Sequence, residues 1–228
     1  MTTASEARQG LLDLNRLAKR DLNTIWSQIS HLPAEQIREA LVDVLPVIAD
    51  EYGLAAGALA ADWYDDARDR AGVGGSFFAE PVEIPNQDRF TSLAVWGTSP
   101  LFSENPDARA SLALITGGLQ RVIADAHRLT VVGSTQADPE ATGWSRVGVG
   151  SNCGFCQMLI GRGGVYTESS VTFRSHDNCN CMASPTWAPN VVKISREPFR
   201  QSQKNRSEET KRRDNERAYA YIAEHQTP

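Results

Sequence analysis

The sequence predicts an α+β protein: an N-terminal helical region, a small irregular β-containing module stapled by a Cys/His cluster, and a C-terminal helix. Three observations predict it. Apolar residues recur at helical intervals through most of the first 130 positions. After Val131 that period gives way to short alternating stretches and turn residues. All four cysteines then fall within the 29 residues from Cys153 to Cys181. The expected division is residues 1–130 as a helical domain, 131–192 as the Cys/His-cluster module, and 193–228 as a basic, polar tail helix.

Leu11, Leu14, Leu17, Leu22, Ile25 and Ile29 predict a first helix between Ala4 and Ser30. Pro33 stands where a second can begin, and Ile37, Leu41, Val44, Leu45 and Ile48 supply its stripe. Pro46 removes one backbone donor and is expected to kink or shorten that helix. Leu54 to Arg70 reads as a further Ala-rich segment stopped by Gly72, Gly74 and Gly75, with Asp65, Asp66 and Asp69 as a solvated acidic face. An extended connector from Phe77 to Ile84 and a short helix from Gln87 to Trp96 follow. Asp107 to Leu129 predicts a long helix with Leu112, Ile115, Leu119, Val122 and Ile123 inward and His127 near its C-terminus. Gly117-Gly118 in its middle costs on the order of 1 kcal/mol per glycine and points to close helix approach or a bend. Gly133 to Gly143 reads as a polar loop, Trp144 to Val149 as a strand and Phe155 to Gly161 as a helix. Short strands and turns extend to Trp187, and Ser207 to His225 reads as a polar helix.

Hydrophobic residues make up 41% and charged residues 22% of the chain, so a true core is expected. No apolar run approaches the roughly 18–20 residues that cross a bilayer, and no membrane partner is expected. The N-terminus lacks the basic start and apolar stretch of a signal peptide, so folding in a reducing cytosol is expected. The net charge of -5 excludes a general affinity for phosphate backbones. It is unevenly spread: Lys193 to Arg217 carries nine Lys/Arg against five Asp/Glu, which reads first as a solvated, salt-bridged helix and otherwise as a contact with DNA or an acidic partner.

The cysteine spacing carries the chemistry. Cys153-x2-Cys156 lets two thiolates face one metal from a tight turn, and His176-x2-Cys179-x-Cys181 offers three more ligands. Five candidates compete for four tetrahedral places, so one stands outside. If His176 binds, its other ring nitrogen needs an acceptor, for which Asp177 is a candidate. Three readings are open. Structural zinc staples a region too small to bury enough apolar surface. Disulfides suit a particle that leaves the cell. A nucleophilic cysteine paired with His176 needs a lowered thiol pKa, and Cys153 or Cys156 at a helix start offers one route.

Trp144-Ser145-Arg146-Val147, Cys153-Gly154-Phe155-Cys156-Gln157-Met158-Leu159 and Arg162-Gly163-Gly164-Val165-Tyr166 form a pattern with Phe173, His176-Asp177-Asn178-Cys179-Asn180-Cys181 and Pro185-Thr186-Trp187. It resembles the minor capsid (head-morphogenesis) proteins of tailed actinobacterial phages, related to the phage Mu F-like family. The helical N-terminal half fits that family in general character only. The resemblance implies a virion component of the head interior, assembled in the host cytoplasm with portal, capsid or scaffold protein. It further implies a role in head assembly, DNA packaging or ejection. Some relatives carry the label of capsid maturation protease, which is the alternative reading. A serine protease would need a Ser, a base and an orienter brought together. Ser169, Ser170 and Ser175 lie near His176, with His127 elsewhere, but no nucleophile elbow is present. A zinc-stapled nucleic-acid-binding protein, using Arg200, Lys204, Lys211, Arg212 and Arg213, is the second alternative.

Overall fold

The computed structural model describes residues 3–82, 88–148, 154–161, 173, 175–179 and 181–188. The expectations for Cys153, Ser169, Ser170 and the tail helix lie outside the described residues. The chain divides into two compact units, Met1–Ser134 with Phe173–Cys179, and Thr135–Thr172 with Asn180–Pro228.

The first unit is helical. Helix α1 (Ala4–Ile29) opens with a reciprocal cap: the Thr3 hydroxyl accepts from the Glu6 amide at 3.2 Å, and the Glu6 carboxylate accepts from the Thr3 amide at 2.7 Å. Its buried stripe is Ala7, Leu11, Ala18, Leu22 and Trp26, rotated from the leucine stripe expected. Helix α2 (Ala34–Arg70) starts directly after Pro33 and runs without a break through Pro46. The expectation that Pro46 shortens it is corrected by energetics. An interior proline costs about 3 kcal/mol, whereas burying Leu41, Leu45, Ile48, Trp63 and Tyr64 recovers about 1.5–3 kcal/mol apiece. Gly72, at φ 68°, lies just beyond the last turn, and the buried Arg68 guanidinium fixes the chain that follows by donating to the carbonyls of Val73 and Gly74 at 3.2 and 2.7 Å.

Helix α2 is also more apolar than the sequence reading allowed. By length and composition it is long and apolar enough to cross a membrane, and half of its most apolar stretch is buried inside the unit.

Helix α3 (Asp88–Gly97) leads through a 3-10 turn (Ser99–Phe102) to α4 (Ala108–Ala137). The expected loop after Gly133 is helix as far as Ala137. Ser134 and Thr135 look like loop residues, but both are buried there beside Val131 and Val132. Helices α3 and α4 touch backbone to side chain. A Cβ on Gly118 would stand 2.2 Å from Leu93 Cδ1, and one on Gly97 would stand 2.4 Å from Ile115 Cγ1. The glycine pair therefore marks close approach. His127 stands inside α4, fully buried, ten residues before its end, so the helix-terminal role expected for it is corrected.

The second unit contains strand β1 (Gly143–Val147), helix α5 (Gly154–Gly161) and strand β2 (Met182–Thr186). The strands pair antiparallel, with Trp144 opposite Pro185 and Val147 opposite Met182. Trp144, Met182 and Ala183 are buried. Beyond the ladder, Thr142 donates to the Thr186 carbonyl through its amide at 2.9 Å and its hydroxyl at 3.0 Å, and the Trp187 indole donates to Asp138 at 3.0 Å. Two strands alone are marginal in water. The α+β class and the small β-containing module therefore stand as the sequence predicts.

Candidate metal centre

Three cysteines converge. The Sγ atoms of Cys156, Cys179 and Cys181 all lie within 4.8 Å of one another, and the three residues are no more than 2% exposed. Local structure presents each one. Helix α5 begins at Gly154, which puts Cys156 in its first turn, and Cys181 immediately precedes β2. Cys179 ends a four-residue turn in which its amide donates to the His176 carbonyl at 3.2 Å. Asn178, at the third position, adopts φ 61°, a left-handed conformation that asparagine tolerates better than most residues.

The spacing admits a metal ion and meets no disulfide distance among the described cysteines. Around tetrahedral zinc with Zn–S near 2.3 Å, sulfurs stand about 3.8 Å apart. A disulfide requires about 2.05 Å. All three thiols are free, and their spacing leaves room for a central ion with small adjustment. Burial argues against a nucleophile, since a thiol that attacks a substrate must meet it.

His176 does not join this group. It is exposed, and its Nδ1 lies 2.8 Å from the Asp177 backbone carbonyl. The acceptor is thus the expected residue but not its carboxylate, which pairs with Arg121 at 3.0 Å. The catalytic frame of a serine protease fares differently from the thiols. Ser175 donates its hydroxyl to Asp125 at 2.7 Å, and His127 is buried with its pKa pushed down to about 3 by burial and by the adjacent Arg128.

A second set of residues escaped sequence reasoning. Gly117, Arg121, Asp125 and Arg128 form one stripe of α4, and Phe173, Ser175, Asp177 and Asn178 lie against it. The Arg128 guanidinium stands 5.0 Å over the Phe173 ring, Asp125 accepts from Ser175, Arg121 pairs with Asp177, and a Cβ on Gly117 would stand 3.0 Å from Asn178 Nδ2. Asp125 is the centre of this strip. It binds Arg89 at 2.6 Å and Arg128 at 2.8 Å, and Arg128 donates to the Cys179 carbonyl at 2.5 Å. The available signal was three charged residues at positions 121, 125 and 128, spaced four and three apart and so on one face of the helix.

A family model described as VG15 protein matches residues 1–205 of the chain. No curated protein and no solved structure matches it.

Proposed function

The chain belongs to the VG15 family, a family of phage proteins, and from that premise we propose that it is a non-enzymatic minor capsid protein of the phage head. In this reading it acts in head assembly with portal, capsid or scaffold protein, in the host cytoplasm and then inside the head. It contributes to DNA packaging or ejection. The helices supply the surface for the protein partners, and Arg200, Lys204, Lys211, Arg212 and Arg213 of the tail meet DNA.

The observation that carries the non-enzymatic part is the burial of Cys156, Cys179 and Cys181 around one point, in a module whose described sheet has two strands. That donor set suits a structural zinc, which would hold the module together where apolar burial is too small. On its x2 spacing from Cys156, Cys153 would supply the fourth ligand in this reading, with His176 outside the set.

Two measurements test the reading. Protein purified under reducing conditions should carry one zinc per chain; a metal-free protein with freely reactive thiols would end the zinc assignment. Tagged protein from infected cells should copurify with portal protein, and purified virions should contain it. Infectious heads assembled normally without it would overturn the assembly role.

A further inference from the structure

We propose that Asp125 and Arg128 are positioning residues of the thiol site, holding the backbone of Cys179 where its sulfur completes the group. The inference rests on the zinc reading above and adds to it residues remote in sequence from every cysteine.

Arg128 is fully buried, and burying a guanidinium costs several kcal/mol unless it is paired and hydrogen-bonded. Its arrangement indicates what offsets that cost. One nitrogen donates to the Asp125 carboxylate, another to the Cys179 carbonyl, and its plane covers Phe173. Two of those three partners belong to the 173–179 segment. The same carboxylate of Asp125 accepts from Ser175, so one ion pair grips that segment at both ends. Arg121 and Gly117 hold its middle through Asp177 and Asn178, and Asn178 is the left-handed residue of the turn that ends on Cys179. A metal ligand on an irregular segment has no ladder or helix to fix it, and this stripe of α4 supplies the missing constraint.

Charge points the same way. Three or four thiolates around one divalent ion carry a net negative charge, whereas Arg89, Arg128 and Asp125 together carry one positive charge. Placing that charge beside the Cys179 backbone partly offsets the negative charge of a thiolate-bound ion.

The test is cobalt substitution of the full chain, read by thiolate-to-cobalt charge-transfer and ligand-field bands, with affinity measured by chelator competition. Wild-type protein should give the bands of a tetrahedral thiolate site; their absence would remove the zinc reading itself. Given that signal, Arg128→Met and Asp125→Asn should weaken metal binding about 10–100-fold, the range typical of lost outer partners. Arg128→Lys, which keeps the charge but loses one hydrogen bond, should recover part of it. Ser175→Ala leaves the buried ion pair intact and should weaken binding by a smaller factor with a shifted ligand-field band. It serves where Arg128→Met does not fold. Wild-type affinity and spectrum in both Ser175→Ala and a folded Asp125→Asn would overturn the positioning role.

Discussion

The imidazole of His127 stacks on the indole of Trp63, with ring centroids 5.9 Å apart and planes 28° from parallel. Both rings are buried. Neither the two imidazole nitrogens nor the indole N–H has a hydrogen-bond partner among the described residues. The histidine is held neutral, its pKa pushed down to about 3, first by burial and then by Arg128.

The folded pKa lies below the unfolded value of 6.5, so the unfolded chain takes up the proton first. His127 therefore leaves stability intact above pH 6.5 and erodes it as pH falls toward 3, by up to about 1.4 kcal/mol per unit. Replacing it by an apolar side chain of similar volume should remove that slope. His127→Leu is expected to lie within about 1.5 kcal/mol of wild type at pH 7. It should be the more stable protein at pH 4.5. Urea denaturation at the two pH values checks this, and parallel losses in both proteins would contradict it.

Gly118 and Leu93 give a prediction of opposite sign to helix propensity. Glycine to alanine inside a helix gains about 1 kcal/mol, but here the new methyl would stand 2.2 Å from Leu93 Cδ1 in a packed interface. Overpacking of this kind costs about 1–3 kcal/mol, so Gly118→Ala should be net destabilising. Leu93→Ala in the same chain should relieve part of that cost, giving a favourable coupling in a double-mutant cycle followed by thermal unfolding. Additive effects of the two changes would show that the contact is not the cause.

What the sequence made legible was local. Pro33 and the apolar stripes announce helices because their physics involves a few neighbouring residues. The cysteine spacing announces a cluster for the same reason, and Cys156, Cys179 and Cys181 do meet. What was not legible depends on burial by distant residues. Pro46 inside α2 and Ser134 and Thr135 inside α4 look like breakers until the packing that outweighs them is known. His176 looked equivalent to the cysteines beside it. It is exposed at the start of a turn whose left-handed Asn178 packs on Gly117, about sixty residues away in sequence. Nothing local marks Arg128, since its partner Cys179 is equally remote.

Helices α1 and α2 are joined by a hydrogen bond from the Tyr52 hydroxyl to the Asp21 carboxylate. The bond lowers the pKa of Asp21 and, with burial, raises that of Tyr52 to about 12. A tyrosine whose folded pKa exceeds its unfolded value near 10 stabilises the fold fully below pH 10. The contribution is lost as pH rises toward 12. Tyr52→Phe should cost on the order of 1–2 kcal/mol at pH 7. It should unfold less steeply than wild type between pH 10 and 12. Equal alkaline sensitivity would assign that loss to other groups.

The two-stranded sheet supplies the last test, because its stability and that of the helices should part company when metal is removed. Strands β1 and β2 share five paired positions, too few to persist unaided. The first unit buries Leu22, Leu41, Leu45, Ile115, Leu119 and Ile123 completely or nearly so, and needs no ion for that. A strong chelator under reducing conditions should therefore leave most far-UV helicity in place. Amide protection should be lost at Ser145, Val147 and Ser184 first, whose pairs alternate with the Trp144–Pro185 pair that cannot exchange bonds, as a local opening well below the global unfolding free energy. Cys156→Ser and Cys181→Ser should reproduce that pattern without chelator, since each removes one sulfur from the group. Hydrogen exchange resolved by residue distinguishes the outcomes. Protection retained in the strands after metal loss would mean the module holds itself together by packing alone, and simultaneous loss across α1 to α4 would mean the ion supports the helices as well.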